Sequence, residues 1–134
     1  MIVLDTNAVS AVMRGDTAVQ KRLLAHPRPE VAIPQPVAAE IEYGLSRLPA
    51  SRRRTELEDR WRLVSREIRR LEWTDEVSAV FGLVKADLEH QGTPLDDFDI
   101  AIGAHALAHH ATLITHNTSH FDRIDGLRVD DWLT

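Results

Sequence analysis

Three acidic positions stand where a carboxylate can do chemistry. Asp5 directly follows the apolar, β-branched run Ile2-Val3-Leu4. A parallel α/β sheet binds ligands beyond the carboxyl ends of its strands, so a residue just past a strand sits on a rigid base at the edge of a site. Asp99 shares a helix face with Ile102, Gly103 and Ala106, at i+3, i+4 and i+7. That face is apolar and is expected to be buried, and a carboxylate there needs a cation or strong donors. Glu40 and Glu42 flank the stripe marked by Ile41 and Leu45, each ~100° around the helix from Ile41. Periodicity does not choose between them. Asn117 lies two residues past a strand expected to end near Thr115. Brought together, these acids suit Mg²⁺ or Mn²⁺, hard cations that prefer carboxylate oxygens and water. Such an ion neutralises phosphate charge and generates hydroxide from bound water, as phosphodiester hydrolysis requires.

Each position also has a plainer job. Asp5 suits a helix N-cap, although Thr6 or Asn7 can take that role and leave it free. Asp99 falls three residues after Asp96, as in a capping box. Asp96 and Asp97 read as turn or cap residues. An Asp-x-Asp pair would point to a phosphatase with Asp5 as nucleophile, but Asn7 holds the third place. His105 and His109 have the i, i+4 spacing of zinc ligands, yet Ala106 replaces the glutamate of His-Glu-x-x-His. The chain has no P-loop and no Gly-x-Ser-x-Gly elbow. It has no cysteine, which excludes thiol catalysis, disulfides and Cys-ligated metal.

The elements that must position these residues alternate. Strands are expected at Ile2-Val3-Leu4, Val31-Ala32-Ile33 and Thr112–Thr115, with weaker candidates at Leu71-Glu72-Trp73 and Leu127-Arg128-Val129. Helices are expected over Ala8–Met13, Thr17–His26 (Val19, Leu23 and Leu24 inward), Val37–Leu48, Ser51 to about Arg66, Thr74–His90 and Ile100–His109. His116–Ser119 reads as a turn. Leu57, Trp61, Val64, Ile68 and Leu71 form one amphipathic stripe. Gly103 leaves room for a close approach, with the strand bearing Asp5 as the expected neighbour. Strands alternating with helices argue for α/β with a largely parallel sheet.

The 134 residues suit one domain, 1–134, of ordinary globular composition, 43% hydrophobic and 28% charged. The formal charge of −5 gives no global nucleic-acid signature. The distribution is uneven, however. Arg47–Arg70 holds nine arginines against four acids (Glu56, Glu58, Asp59, Glu67). Such a segment is a phosphate-contacting surface, a site for an acidic partner or a solvated helix face. The opening apolar run stops at Asp5, too short for a signal-peptide core. No run approaches the length of a membrane span, so a cytoplasmic protein without membrane contact is expected.

Taken together, these segments resemble a known family. Met1–Asn7 looks like the opening of PIN-domain ribonucleases, and Ala39-Glu40-Ile41-Glu42-Tyr43-Gly44 resembles their second motif. Pro94–Ala106 resembles the third, and Thr112–Phe121 with Gly126–Val129 and Trp132 resembles the fourth motif and tail. The likeness is greatest to the VapC toxins of VapBC toxin–antitoxin pairs. The resemblance implies an α/β/α sandwich with a central, largely parallel sheet. It also implies a Mg²⁺ site, with Mn²⁺ as a substitute, on Asp5, Glu40 and Asp99, which selects Glu40 over Glu42. Asn7 and Thr115 match supporting positions. The family's fourth acid is missing, with Asn117 and His120 in its neighbourhood. That favours one tightly held ion, with Asn117 as auxiliary ligand or water-positioner. The implied function is a metal-dependent endoribonuclease, the toxin of a type II pair. Its implied partners are an RNA substrate, a VapB-like antitoxin docked along the helices near Trp61, and a second copy in a homodimer. The alternative is a PIN-like module that binds RNA or protein without cutting.

Overall fold

Ile2-Val3-Leu4 forms β1 (Ile2–Leu4), the middle strand of a five-stranded sheet in the computed structural model, which describes residues 1–133. The other strands are β2 (Val31–Pro34), β3 (Arg69–Leu71), β4 (Thr112–Ile114) and β5 (Arg128–Asp130). The order is β3-β2-β1-β4-β5 and every pairing is parallel. A parallel sheet with crossover helices is covered on both faces, so its central strands carry apolar runs rather than alternation. Val3, Leu4, Val31, Ala32, Ile33, Leu113 and Ile114 are all buried. The chain builds outward from β1 in both directions, so strand order switches between β1 and β4. That is the crevice where such sheets bind ligands.

Among the described residues, seven α-helices connect and cover the strands: α1 (Thr6–Met13), α2 (Thr17–Leu24), α3 (Gln35–Ser46), α4 (Arg52–Glu67), α5 (Asp75–His90), α6 (Asp97–Ala108) and α7 (Thr118–Phe121). The result is the expected α/β/α architecture. Short polar residues start five of them. Asp5, Asp16, Ser51, Thr74 and Asp96 each accept a hydrogen bond from a first-turn N–H. Pro36 stands in the first turn of α3, where its missing N–H has no cost. In α6 every residue from Ile100 to Ala106 is buried, as suits a helix apolar all round. No helix among the described residues is long and apolar enough to cross a membrane.

Several local expectations are corrected. The strand near Trp73 lies two residues earlier, because the α4 stripe ends at Ile68 and Leu71 continues it from β3. His116–Ser119 is not only a turn, since Thr118 begins the single-turn helix α7. Leu24 is 83% exposed rather than inward, because α2 is anchored by Val19. Gly103 does not meet the Asp5 strand. A Cβ there would lie 2.8 Å from Ile124 Cδ1, so the close approach is to side chains that follow α7.

Candidate metal and nucleic-acid site

The site begins with Asp5, which has 3% exposure at the carboxyl end of β1. Its backbone N–H donates to Ile114 O at 3.0 Å, which fixes it against the end of β4. It is also the N-cap of α1, with Oδ1 accepting from Ala8 N at 2.9 Å. One oxygen therefore anchors the helix. The Thr115 hydroxyl and the Asn7 backbone also favour its charged form, yet burial outweighs them and raises its pKa. The Asp99 carboxylate adds to that rise. Thr115, itself buried, accepts the Asn117 N–H at 2.9 Å, so the segment after β4 is tied to the same corner.

Asp99 stands in the first turn of α6, half-buried. Burial raises its pKa and Asp96 raises it further, against a smaller pull from His120. His120 Nδ1 lies 3.7 Å from Asp99 Oδ2. Glu40, on α3, accepts the Thr6 hydroxyl at 2.5 Å. Thr6 is the residue after Asp5, so the hydroxyl joins α3 to the same end of the sheet. The structure thus places Asp99 near enough for its charge to raise the Asp5 pKa, and joins Asp5's neighbour Thr6 to Glu40. Asn7 contributes its backbone and Thr115 its hydroxyl. The Asn117 side chain makes no cap hydrogen bond to α7.

Glu42 has a different job. It accepts the Trp61 indole N–H at 3.0 Å, across to α4. Trp61 is buried, with the Arg70 guanidinium 5.2 Å from its ring centroid, so it is a packing residue rather than a free docking surface. Glu42→Ala is expected to lower stability by about 1 kcal/mol, the typical net value of one hydrogen bond. Chemical denaturation would read the loss, and any RNA cleavage should keep its rate. His105 is a core histidine, fully buried, with Nδ1 2.7 Å from Ala101 O and Trp73 edge-on at 5.5 Å. Burial lowers its pKa, which keeps it neutral. Its Nε2 has no hydrogen-bond partner, although the Glu72 backbone is near enough to favour the charged form weakly.

The donor set suits a hard cation. It consists of carboxylate oxygens, and burial is the largest cause of the resistance of Asp5 and Asp99 to ionisation. Among the described residues neither Asp5 nor Glu40 has a cationic partner. Among the same residues, no group of three or more His, Asp or Glu side chains is arranged so that it could hold a metal ion.

Comparison with known proteins decides the family. The PIN domain profile matches residues 2–127. The chain belongs to the PIN domain family. This PIN domain is 28% identical over 102 residues to the ribonuclease VapC2 of Rickettsia felis, covering 76% of the chain and 74% of that protein. It is 41% identical over 51 residues to the tRNA(fMet)-specific endonuclease VapC of Shigella flexneri, covering 38% and 39%. Its fold superposes on the crystal structure of VapBC2 from Rickettsia felis bound to promoter DNA. The TM-score is 0.89 at 25% identity, covering 98% of this chain and 99% of that one. VapBC-1 of nontypeable Haemophilus influenzae gives a TM-score of 0.84 at 26% identity, with both chains fully covered.

Two residues of this PIN domain's corner escape a reading of the sequence. Thr6 holds Glu40 across 34 positions, and His120 faces Asp99 from a helix too short to be periodic. The faint signals are adjacency, Thr6 next to Asp5 and His120 one turn after Asn117.

Proposed function

We propose that this PIN domain is a VapC-type, Mg²⁺-dependent endoribonuclease, with Mn²⁺ as a substitute, and the toxin partner of a VapB-like antitoxin. The observation that carries the reading is the buried, uncompensated Asp5 at the β1/β4 crevice, raised in pKa by burial and by Asp99. Asp5, Asp99 and Glu40 would hold the cation. When bound, the ion supplies neutralisation of the phosphate and a water acidic enough to yield hydroxide near neutral pH. Thr6 holds the Glu40 carboxyl in place. Glu40 orients the attacking water and takes its proton. Thr115 supports Asp5 and fixes the backbone at Asn117. The Asn117 side chain, free of a capping role, positions water where relatives of the resembled family carry an acid.

The VapBC complexes among the similar structures support a VapB-like partner. An apolar surface open to that partner lies between α2 and α4, the helix that carries Trp61, where Leu24 and Leu63 are exposed. The working unit is a homodimer in the cytoplasm. The test is cleavage of total RNA by purified protein in Mg²⁺ or Mn²⁺, with and without EDTA. Endonucleolytic products that disappear on chelation are expected. RNA that is bound but uncut at every Mn²⁺ concentration would overturn the reading in favour of a non-cleaving binding module.

A further inference from the structure

A cleft of about 240 Å³ runs from the Glu40 and Thr6 side of the site between α1, α3 and α4. Its walls are largely apolar, including Leu45, Leu48 and Leu57, and Arg14 and Arg53 stand at its edge. The basic segment is less charged in effect than its composition suggests. Arg52 pairs with Glu56, Arg54 with Glu58 and Arg62 with Asp59, while Arg60 donates to Met13 O at 2.8 Å. Among the described residues, Arg14 and Arg53 have no hydrogen bond or ion pair from their side chains, and both are exposed. Two unneutralised guanidinium groups therefore share one cleft with the carboxylate end of the site.

The cleft's lining combines the Glu40 carboxylate, apolar side chains and two exposed guanidinium groups. A nucleic acid strand combines phosphate and base. Guanidinium groups contact phosphate in bidentate fashion, and single-stranded sites combine a basic track with apolar faces for bases. We infer that this cleft is a nucleotide subsite for the RNA strand flanking the cleaved bond, with Arg14 and Arg53 holding its phosphate and Leu45, Leu48 and Leu57 receiving its base. The inference rests on the ribonuclease reading and deepens it. Arg14 lies outside the Arg47–Arg70 segment, so charge counting along the chain does not find it. Gly44 lines the same cleft, and a Cβ on it meets nothing within 4 Å. A side chain there would grow into the subsite while improving the helix.

The test is fluorescence anisotropy of a short mixed-sequence single-stranded RNA, titrated across salt concentrations on an Asp5→Asn background that prevents cleavage. Each contact to single-stranded phosphate contributes about 0.7 to the slope of log K against log salt. Arg14→Ala and Arg53→Ala should each reduce the slope by about that amount and weaken binding about 5-fold at 0.1 M salt, by the same relation. Arg14→Lys and Arg53→Lys should restore the slope, because they keep the charge. Arg52→Ala and Arg62→Ala should leave it unchanged, and Gly44→Met should weaken binding with both arginines intact. A double Arg14→Ala/Arg53→Ala variant with wild-type affinity and slope overturns the subsite while leaving the ribonuclease reading standing. A wild-type protein that neither binds nor cuts RNA overturns that reading and the subsite with it.

Discussion

Asp5→Asn and Asp99→Asn are each expected to lower the kcat/KM of RNA cleavage by at least about 100-fold, the scale at which loss of one preorganised charge-stabilising group is felt. Gel-based cleavage of a defined RNA reads the effect. In Asp5→Asn the amide oxygen keeps the cap on Ala8, because asparagine caps a helix as well as aspartate does. The fold therefore survives and the loss is chemical. In the absence of metal the same variants are expected to be more stable than wild type at neutral pH. The sign follows from linkage. Asp5 and Asp99 have folded-state pKa values raised above the ordinary 3.8. The folded protein then binds more protons than the unfolded chain between 3.8 and the raised value. Their contribution to stability is fully present below pH 3.8 and is lost as pH rises through the folded value. Removing the charge removes that loss. The stability gap between Asp5→Asn and wild type should open as pH rises from 3.8 and stay open at neutral pH. A variant that is less stable than wild type at about pH 7 in EDTA would contradict the burial and repulsion on which the proposed cation site rests.

Divalent metal is expected to reverse that order. A cation that binds only the folded state stabilises it by about 2.7 kcal/mol at 100 times its Kd. For a chain of 134 residues that corresponds to a rise in Tm of about 10 °C. Wild type should show it with Mg²⁺ or Mn²⁺ and return to its starting Tm on chelation. Asp5→Asn and Asp99→Asn should show little of it. Glu42→Ala, whose lost hydrogen bond lies across α3 and α4, should keep the full metal shift from a lower starting point. Equal metal shifts in wild type and Asp5→Asn would place the cation elsewhere.

The strands, the helix starts and the identity of the acids are legible in the sequence because each is local. Ile2-Val3-Leu4 announces a buried parallel strand, and Thr74 or Asp96 announces a helix start, through interactions within a few residues. Leu24 defeats such a reading because apolar character alone does not say which way a helix turns: Val19 faces inward as expected, while Leu24 is exposed. Glu40 and Glu42 are indistinguishable by periodicity, since both flank Ile41. What separates them is long-range, Thr6 reaching Glu40 and Trp61 reaching Glu42. The neighbour of Gly103 is likewise a tertiary matter, decided by where Ile124 packs after α7. Arg53 is one arginine among many in a charged helix, and only the pairing of its neighbours sets it apart.

The most direct test is a Mn²⁺ titration followed by electron paramagnetic resonance, on wild type and on Asp5→Asn, Glu40→Gln and Asp99→Asn. One bound ion per chain is expected for wild type, with affinity reduced about 10-fold or more in each of the three variants, the scale of losing one ligand interaction, and unchanged in Glu42→Gln. Wild-type Mn²⁺ affinity in any one of the three would contradict a shared cation held by these carboxylates.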